Sequence, residues 1–185
     1  MATKATLGVL ARALLVCVLL AGSGCAKPRP QAFEVPIESR LILQMPFFSA
    51  VTSAGAAGAL AEVMTYNGRP VTAERIVLAL GKRTPSPHDL VVWARSEGLR
   101  ALYYNAEPPL LVKSVREGRP LIVRLGAAAP PLASGDYAVV VGYSPEGVVV
   151  NSQTINQQIV AWGPFLSGWV KSRNLTIEIT PLEND

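Results

Sequence analysis

From Ser39 onward the apolar positions change period several times, and each change marks an element. Leu41-Ile-Leu-Gln44 is an apolar run of strand length. Thr52 or Ser53 can cap a helix that runs to about Tyr66 and stops at Asn67-Gly68. Its Ala and Gly content predicts a helix packed closely on several sides. Thr72 caps a second helix ending at Gly81, and Ser86-Pro87-His88-Asp89 opens a third that stops at Gly98. That third start combines a cap, a proline at the first helical position and an acid placed to close a capping box. A fourth helix is predicted over 109–117, ahead of Gly118. Tyr103 and Tyr104 alternate along a strand, one facing in and one out. Strands follow at 120–125, 137–143 and 148–151, the last two joined by a Ser-Pro-Glu-Gly turn. Residues 164–170 give one or two helical turns, and 175–180 closes the chain as an edge strand. Asn151–Gln158 is uncharged and rich in donors and acceptors, and reads as a solvated connection or an interface loop. There are no internal repeats. The order is helices first, then an antiparallel sheet.

The residues before Ser39 follow another logic. Met1-Ala-Thr-Lys4, an apolar run from Ala13 and the small residues up to Gly24 have the order of an export signal over 1–24. The run is about ten residues long where a spanning helix needs about twenty. Gly22-Ser23-Gly24-Cys25 resembles a bacterial lipobox, with Gly22 where the motif usually has Leu. Cys25 is therefore the expected lipidation site, its acyl chains holding the protein to membrane lipid at about 0.8 kcal/mol per buried methylene. Ala26 after it favours the outer membrane, by resemblance to enterobacterial sorting. Residues 25–38, with three prolines among them, read as the lipidated Cys and a tether, leaving 39–185 as one domain.

Composition narrows the function. The chain has 185 residues, 50% of them apolar and 16% charged, enough to bury one core. Without Lys4 and Arg12 the mature chain carries 15 basic and 13 acidic side chains, too even a balance for a nucleic-acid footprint. The other cysteine, Cys17, lies inside the signal, so no internal disulfide or Cys cluster for a metal is expected. No cofactor motif is present.

Several segments, in register, resemble the bacteriocin-processing (double-glycine) family of papain-like cysteine peptidases. They are Met45-Pro-Phe-Phe48, Leu60-Ala-Glu-Val-Met-Thr-Tyr-Asn-Gly68, Val71-Thr-Ala-Glu-Arg-Ile76, Asp89-Leu-Val-Val-Trp-Ala-Arg-Ser-Glu-Gly98, Gly118-Arg-Pro-Leu-Ile-Val123 and Asp136-Tyr-Ala-Val-Val-Val-Gly-Tyr143. Val148-Val-Val-Asn-Ser152 stands where the family has a strand ending in Asn-Asp. The resemblance covers about residues 41–181. It implies an α+β, papain-like fold with N-terminal helices packed on a C-terminal antiparallel sheet.

The family's chemistry needs a thiolate acidified by a helix start and an imidazolium, an acid or amide orienting the imidazole, and a Gln at the oxyanion. Carried over by position, the Cys falls on Gly55, or on Ala54 with a shift of one. The His falls on Asp136 and the orienting acid on Ser152, and Ser49 and Ala50 stand around the Gln. The one histidine, His88, reads as an exposed helix-start residue. Ser53 with Asp136 could form a nucleophile–base pair, but a solvated carboxylate with a pKa of about 4 is a weak base. Such a pair reads more simply as a hydrogen bond that satisfies the vacated site.

The expectation is thus a pseudoenzyme. A former peptidase cleft, with Ser53, Asp136, Tyr137, Ser152 and Trp162 as its groove, would hold a peptide or partner protein within an export or envelope assembly. Trp169 falls in the same region, although its family equivalent packs on the sheet. The alternatives are an active hydrolase using Ser53 with Asp136, and a structural subunit of an outer-membrane oligomer.

Overall fold

The computed structural model describes residues 39–48, 55–81, 85–130, 132, 137–152 and 154–182. The signal, Cys25, the rest of the tether, Ser49, Ala50, Thr52, Ser53, Ala54 and Asp136 lie outside them. The elements are β1 (Leu41–Ile42), α1 (Gly55–Tyr66), α2 (Ala73–Leu80), α3 (Pro87–Ser96), β2 (Leu99–Asn105), α4 (Pro108–Arg116), β3 (Leu121–Arg124), β4 (Tyr137–Tyr143), β5 (Gly147–Asn151), β6 (Gln158–Ala161), α5 (Trp162–Val170) and β7 (Leu175–Pro181). No helix among the described residues is long and apolar enough to cross a membrane.

Local chemistry sets the helix starts. The Thr72 hydroxyl accepts the Arg75 N–H at 3.3 Å. At α3 the Ser86 hydroxyl accepts the Asp89 N–H, and the Asp89 carboxylate accepts the Ser86 N–H, with Pro87 at the first position. α1 is different: Gly55 through Met64 are all buried, so the helix has no solvent face along most of its length.

The seven strands form one antiparallel sheet in the order β2-β7-β3-β4-β5-β6. β3 pairs with the first half of β4, and β1 takes over the same edge at Gly142 and Tyr143. A Cβ at position 142 would collide with the Leu41 carbonyl, so only glycine lets β1 lie that close. A bulge between Val140 and Gly142 shifts the register with β5 there.

The sheet is covered on both faces. α1, α2 and α3 lie on one face, against Ala101, Ile122, Val139, Val141, Val149, Ile177 and Ile179. α4 and α5 lie on the other, where Leu111, Val115, Phe165 and Trp169 pack on Leu121, Val123, Val140, Val148 and Val150. The α+β architecture expected from the sequence is present, with two helices added to the second face.

Two local expectations change and one holds. β7 is interior, paired with β2 along Leu99↔Pro181 to Asn105↔Leu175 and with β3 along Leu121↔Glu178 to Val123↔Thr176. It buries Thr176 on one face and Ile177 and Ile179 on the other, and β2 is the strand that takes the edge. The polar stretch after β5 is not wholly a solvated connection: Asn151 is buried in β5, and Gln158 opens the edge strand β6. Tyr103 and Tyr104 do alternate as expected. Tyr103 is exposed, while the Tyr104 hydroxyl donates to Glu178 at 2.8 Å.

Candidate functional site

The antiparallel pairing Val139↔Asn151 brings the start of β4 and the end of β5 to one end of the sheet. The first turns of α1 lie over that end. Gly55, Gly58, Ala59 and Glu62, spaced i, i+3, i+4 and i+7, form a single stripe along the helix. This stripe, with Tyr137, Ser152 and Phe48, lines a hollow. The void is about 230 Å³ counted out to solvent. Its enclosed part has room for about one water-sized group.

Glu62 forms one wall of the hollow, and it is a charged residue only 3% exposed. Its Oε1 accepts the Phe48 backbone N–H at 3.2 Å, and its Oε2 accepts Nδ2 of Asn151 at 3.0 Å. Asn151 Oδ1 in turn accepts the Gln157 N–H at 2.9 Å, which fixes the orientation of the amide. Gln157 has φ 50°, a left-handed conformation that turns its N–H toward Asn151. One buried chain of hydrogen bonds thus joins the 43–48 segment, α1, β5 and the entry to β6. Burial raises the Glu62 pKa to about 7, the Asn151 amide and the Phe48 N–H pulling in the other direction.

Tyr137 is buried, and the Arg124 guanidinium lies 5.8 Å from its ring centroid. Burial pushes the Tyr137 phenol up, and Arg124 offsets part of that. The Ser152 hydroxyl donates to the Ile155 carbonyl across the turn that follows β5.

The structure therefore brings together Gly55, Tyr137 and Ser152 of the residues singled out in the sequence. Ser53, Ala54 and Asp136 lie outside the described residues. Trp162 does not join the hollow: it starts α5, packs with the second-face cluster and donates its indole N–H to the Ser144 carbonyl at 3.0 Å. Trp169 is fully buried on that same face and donates to the Leu175 carbonyl. An indole N–H needs a partner when buried, and both find a backbone carbonyl, Trp162 in the turn after β4 and Trp169 at the start of β7. His88 is exposed in the first turn of α3 and is not among the residues of the hollow. No group of three or more His, Cys, Asp or Glu side chains among the described residues could hold a metal ion.

Sequence reasoning missed Glu62 and Asn151. A signal for Glu62 existed: a lone carboxylate in a helix of small and apolar residues, predicted to pack on several sides, has few ways to reach solvent.

No family model matches the sequence, and no curated protein matches it. Solved structures do. The double-glycine-motif protease of an AMS/PCAT transporter, determined in complex with the leader peptide, aligns with a TM-score of 0.61 at 18% identity, over 76% of this chain and 94% of that one. A C39-like peptidase from Bacillus anthracis aligns with a TM-score of 0.67 at 16% identity, over 80% of this chain and 100% of that one. The peptidase domain of Streptococcus ComA, a bifunctional ABC transporter in a quorum-sensing pathway, aligns with a TM-score of 0.57 at 18% identity, over 77% and 98%. At these identities the likeness bears on architecture alone: the chain has the papain-like fold of double-glycine peptidase domains.

Proposed function

We propose that this protein is a non-catalytic peptidase-like module, lipid-anchored in the bacterial envelope through Cys25, that holds a peptide or an extended segment of a partner protein. The observation that carries the reading is the hollow at the start of α1. Gly55 and Ser152, the positions matched to the family's nucleophile and orienting acid, line it together with Tyr137. A neighbour in fold was determined with a leader peptide bound, which supports a peptide as the ligand class.

Two features of the sequence support binding without cleavage. Past Cys25 the chain has no cysteine, and its one histidine is His88. Thiolate chemistry needs both a sulfur and a base at the helix start. What remains is a narrow site walled by small residues, two aromatic rings and one buried carboxyl, suited to a slender segment of chain.

The test is a titration of the full chain, in detergent, with a fluorescent peptide ending in Gly-Gly, followed by mass spectrometry of the peptide. Saturable binding with the peptide left intact is the expected result, and Ala59→Phe, which fills the hollow, should abolish it. Turnover that disappears with Ser53→Ala would instead establish the hydrolase alternative. For the anchor, palmitate labelling and membrane fractionation should both be lost in Cys25→Ala.

A further inference from the structure

The wall formed by Glu62 raises a question that peptide binding in general does not answer. The carboxyl is buried, and among the described residues no cation pairs with it: the ion pairs run between Arg75 and Glu97, Lys113 and Glu117, and Arg119 with Glu117 and Glu178. A buried carboxylate without a counter-ion is costly, and an entering cation would relieve that cost. We infer that the hollow is a subsite for a primary ammonium group, supplied by a lysine side chain or by the amino terminus of the bound chain. This rests on the peptide-binding reading and names the group that the site selects.

Size and hydrogen bonding both point this way. The space beside Glu62 is small, which suits an ammonium better than the larger guanidinium or quaternary amine. From the described residues each Glu62 oxygen accepts one hydrogen bond, on a carboxylate that can accept about four, and an ammonium brings three donors. Phe48 and Tyr137 add aromatic walls, and the Tyr137 ring already has one cation, Arg124, nearby. The positive end of the α1 dipole lies at Gly55. Its influence fades within the first turn, whereas Glu62 sits about 10 Å further along the axis.

Among the described residues, the groups that face Glu62 leave it as the titrating member. The 43–48 segment offers the Phe48 N–H, β4 offers Tyr137, and β5 with the following turn offers Asn151, Ser152 and Gln157. None of these ionises near neutrality. Ammonium binding should therefore strengthen as pH rises through about 7, where Glu62 gives up its proton.

The test uses the full chain at pH 8 and compares thermal unfolding in methylammonium, tetramethylammonium and potassium chlorides at equal ionic strength. A higher Tm in methylammonium alone, with the difference gone in Glu62→Gln, is the expected result. Equal shifts in methylammonium and tetramethylammonium, or an equal gain in potassium, would overturn the inference. The wild-type comparison is sufficient if Glu62→Gln fails to fold. A second arm uses a bound peptide with lysine replaced by norleucine, or with its amino terminus acetylated. Loss of the correct ammonium should weaken binding about tenfold or more and so identify the source. A peptide that binds equally well without either ammonium would overturn the subsite and leave peptide binding intact. A methylammonium effect with no peptide bound at all would overturn peptide binding and leave the subsite.

Discussion

The two faces of the sheet both carry an apolar core, but they differ at one end. Under α4 and α5 the core is large and apolar: Phe165 and Trp169 are fully buried, with ring centroids 5.7 Å apart, over Leu121, Leu125 and Val140. Gly168 lets α5 settle closely, since a Cβ there would stand 2.8 Å from the Ala127 carbonyl. Under α1, α2 and α3 the core is as apolar, with Leu60, Met64, Ile76, Ile177 and Ile179 fully buried, but at one end Gly55, Gly58 and Ala59 leave a hollow beside a buried carboxyl and amide. The first face is designed like a core for stability. The second adds a small polar site at one end of its core, and that difference shows where in this fold a binding site can sit.

The largest expected effect comes from the packed face. Trp169→Ala removes the biggest buried side chain and should cost about 3–5 kcal/mol, read as a fall in the urea midpoint. If Ala59→Leu, on the hollow face, cost as much, the contrast between the faces would fail.

Next is the pH dependence of the hollow face. Glu62 has a pKa of 4.5 in the unfolded chain and about 7 when folded. Below pH 4.5 it is protonated in both states. Between 4.5 and 7 the unfolded chain releases the proton while the folded chain keeps it, so stability falls as pH rises. Roughly 3 kcal/mol should be lost across that window, and the loss should be complete above pH 7. Glu62→Gln should flatten the profile and be the more stable protein at pH 8. A profile unchanged by the substitution would remove Glu62 as its source.

Asn151→Ala is a sharper and smaller probe. It leaves Glu62 Oε2 and the Gln157 N–H without their partner, at about 1–3 kcal/mol by chemical denaturation. Ser86→Ala, which breaks the α3 capping box away from the hollow, should cost about 1 kcal/mol and leave the pH profile unchanged. It serves as the control for ordinary surface chemistry on the same face.

What could be read from the sequence follows the range of the interaction. The starts of α2 and α3 were legible because Thr72 and the Ser86–Asp89 box act across three residues. The fold could be matched through segments in register, although each segment alone is weak. The interior position of β7 was not legible, because strand order is decided by partners such as β2, some seventy residues away in the pairing Tyr104↔Thr176. The site was half legible. Gly55, Tyr137 and Ser152 came from the matched positions. Glu62 did not, because a glutamate in a helix reads locally as a good helix former facing solvent, and its partner Asn151 is 89 residues away. Trp162 was misplaced because the short run before α5 hid β6, and with it the side of the sheet on which α5 lies.

If the hollow under α1 is the binding face, bound peptide should shield the backbone around it. Amide hydrogen exchange of the full chain, with and without a saturating Gly-Gly-terminated peptide, tests this most directly. The expected result is new protection at Gly55–Tyr66, at the start of β4 and around Ser152, with α4 and α5 unchanged. Protection confined to α4, α5 or the β6 edge, or none under conditions where the peptide is bound, would contradict it.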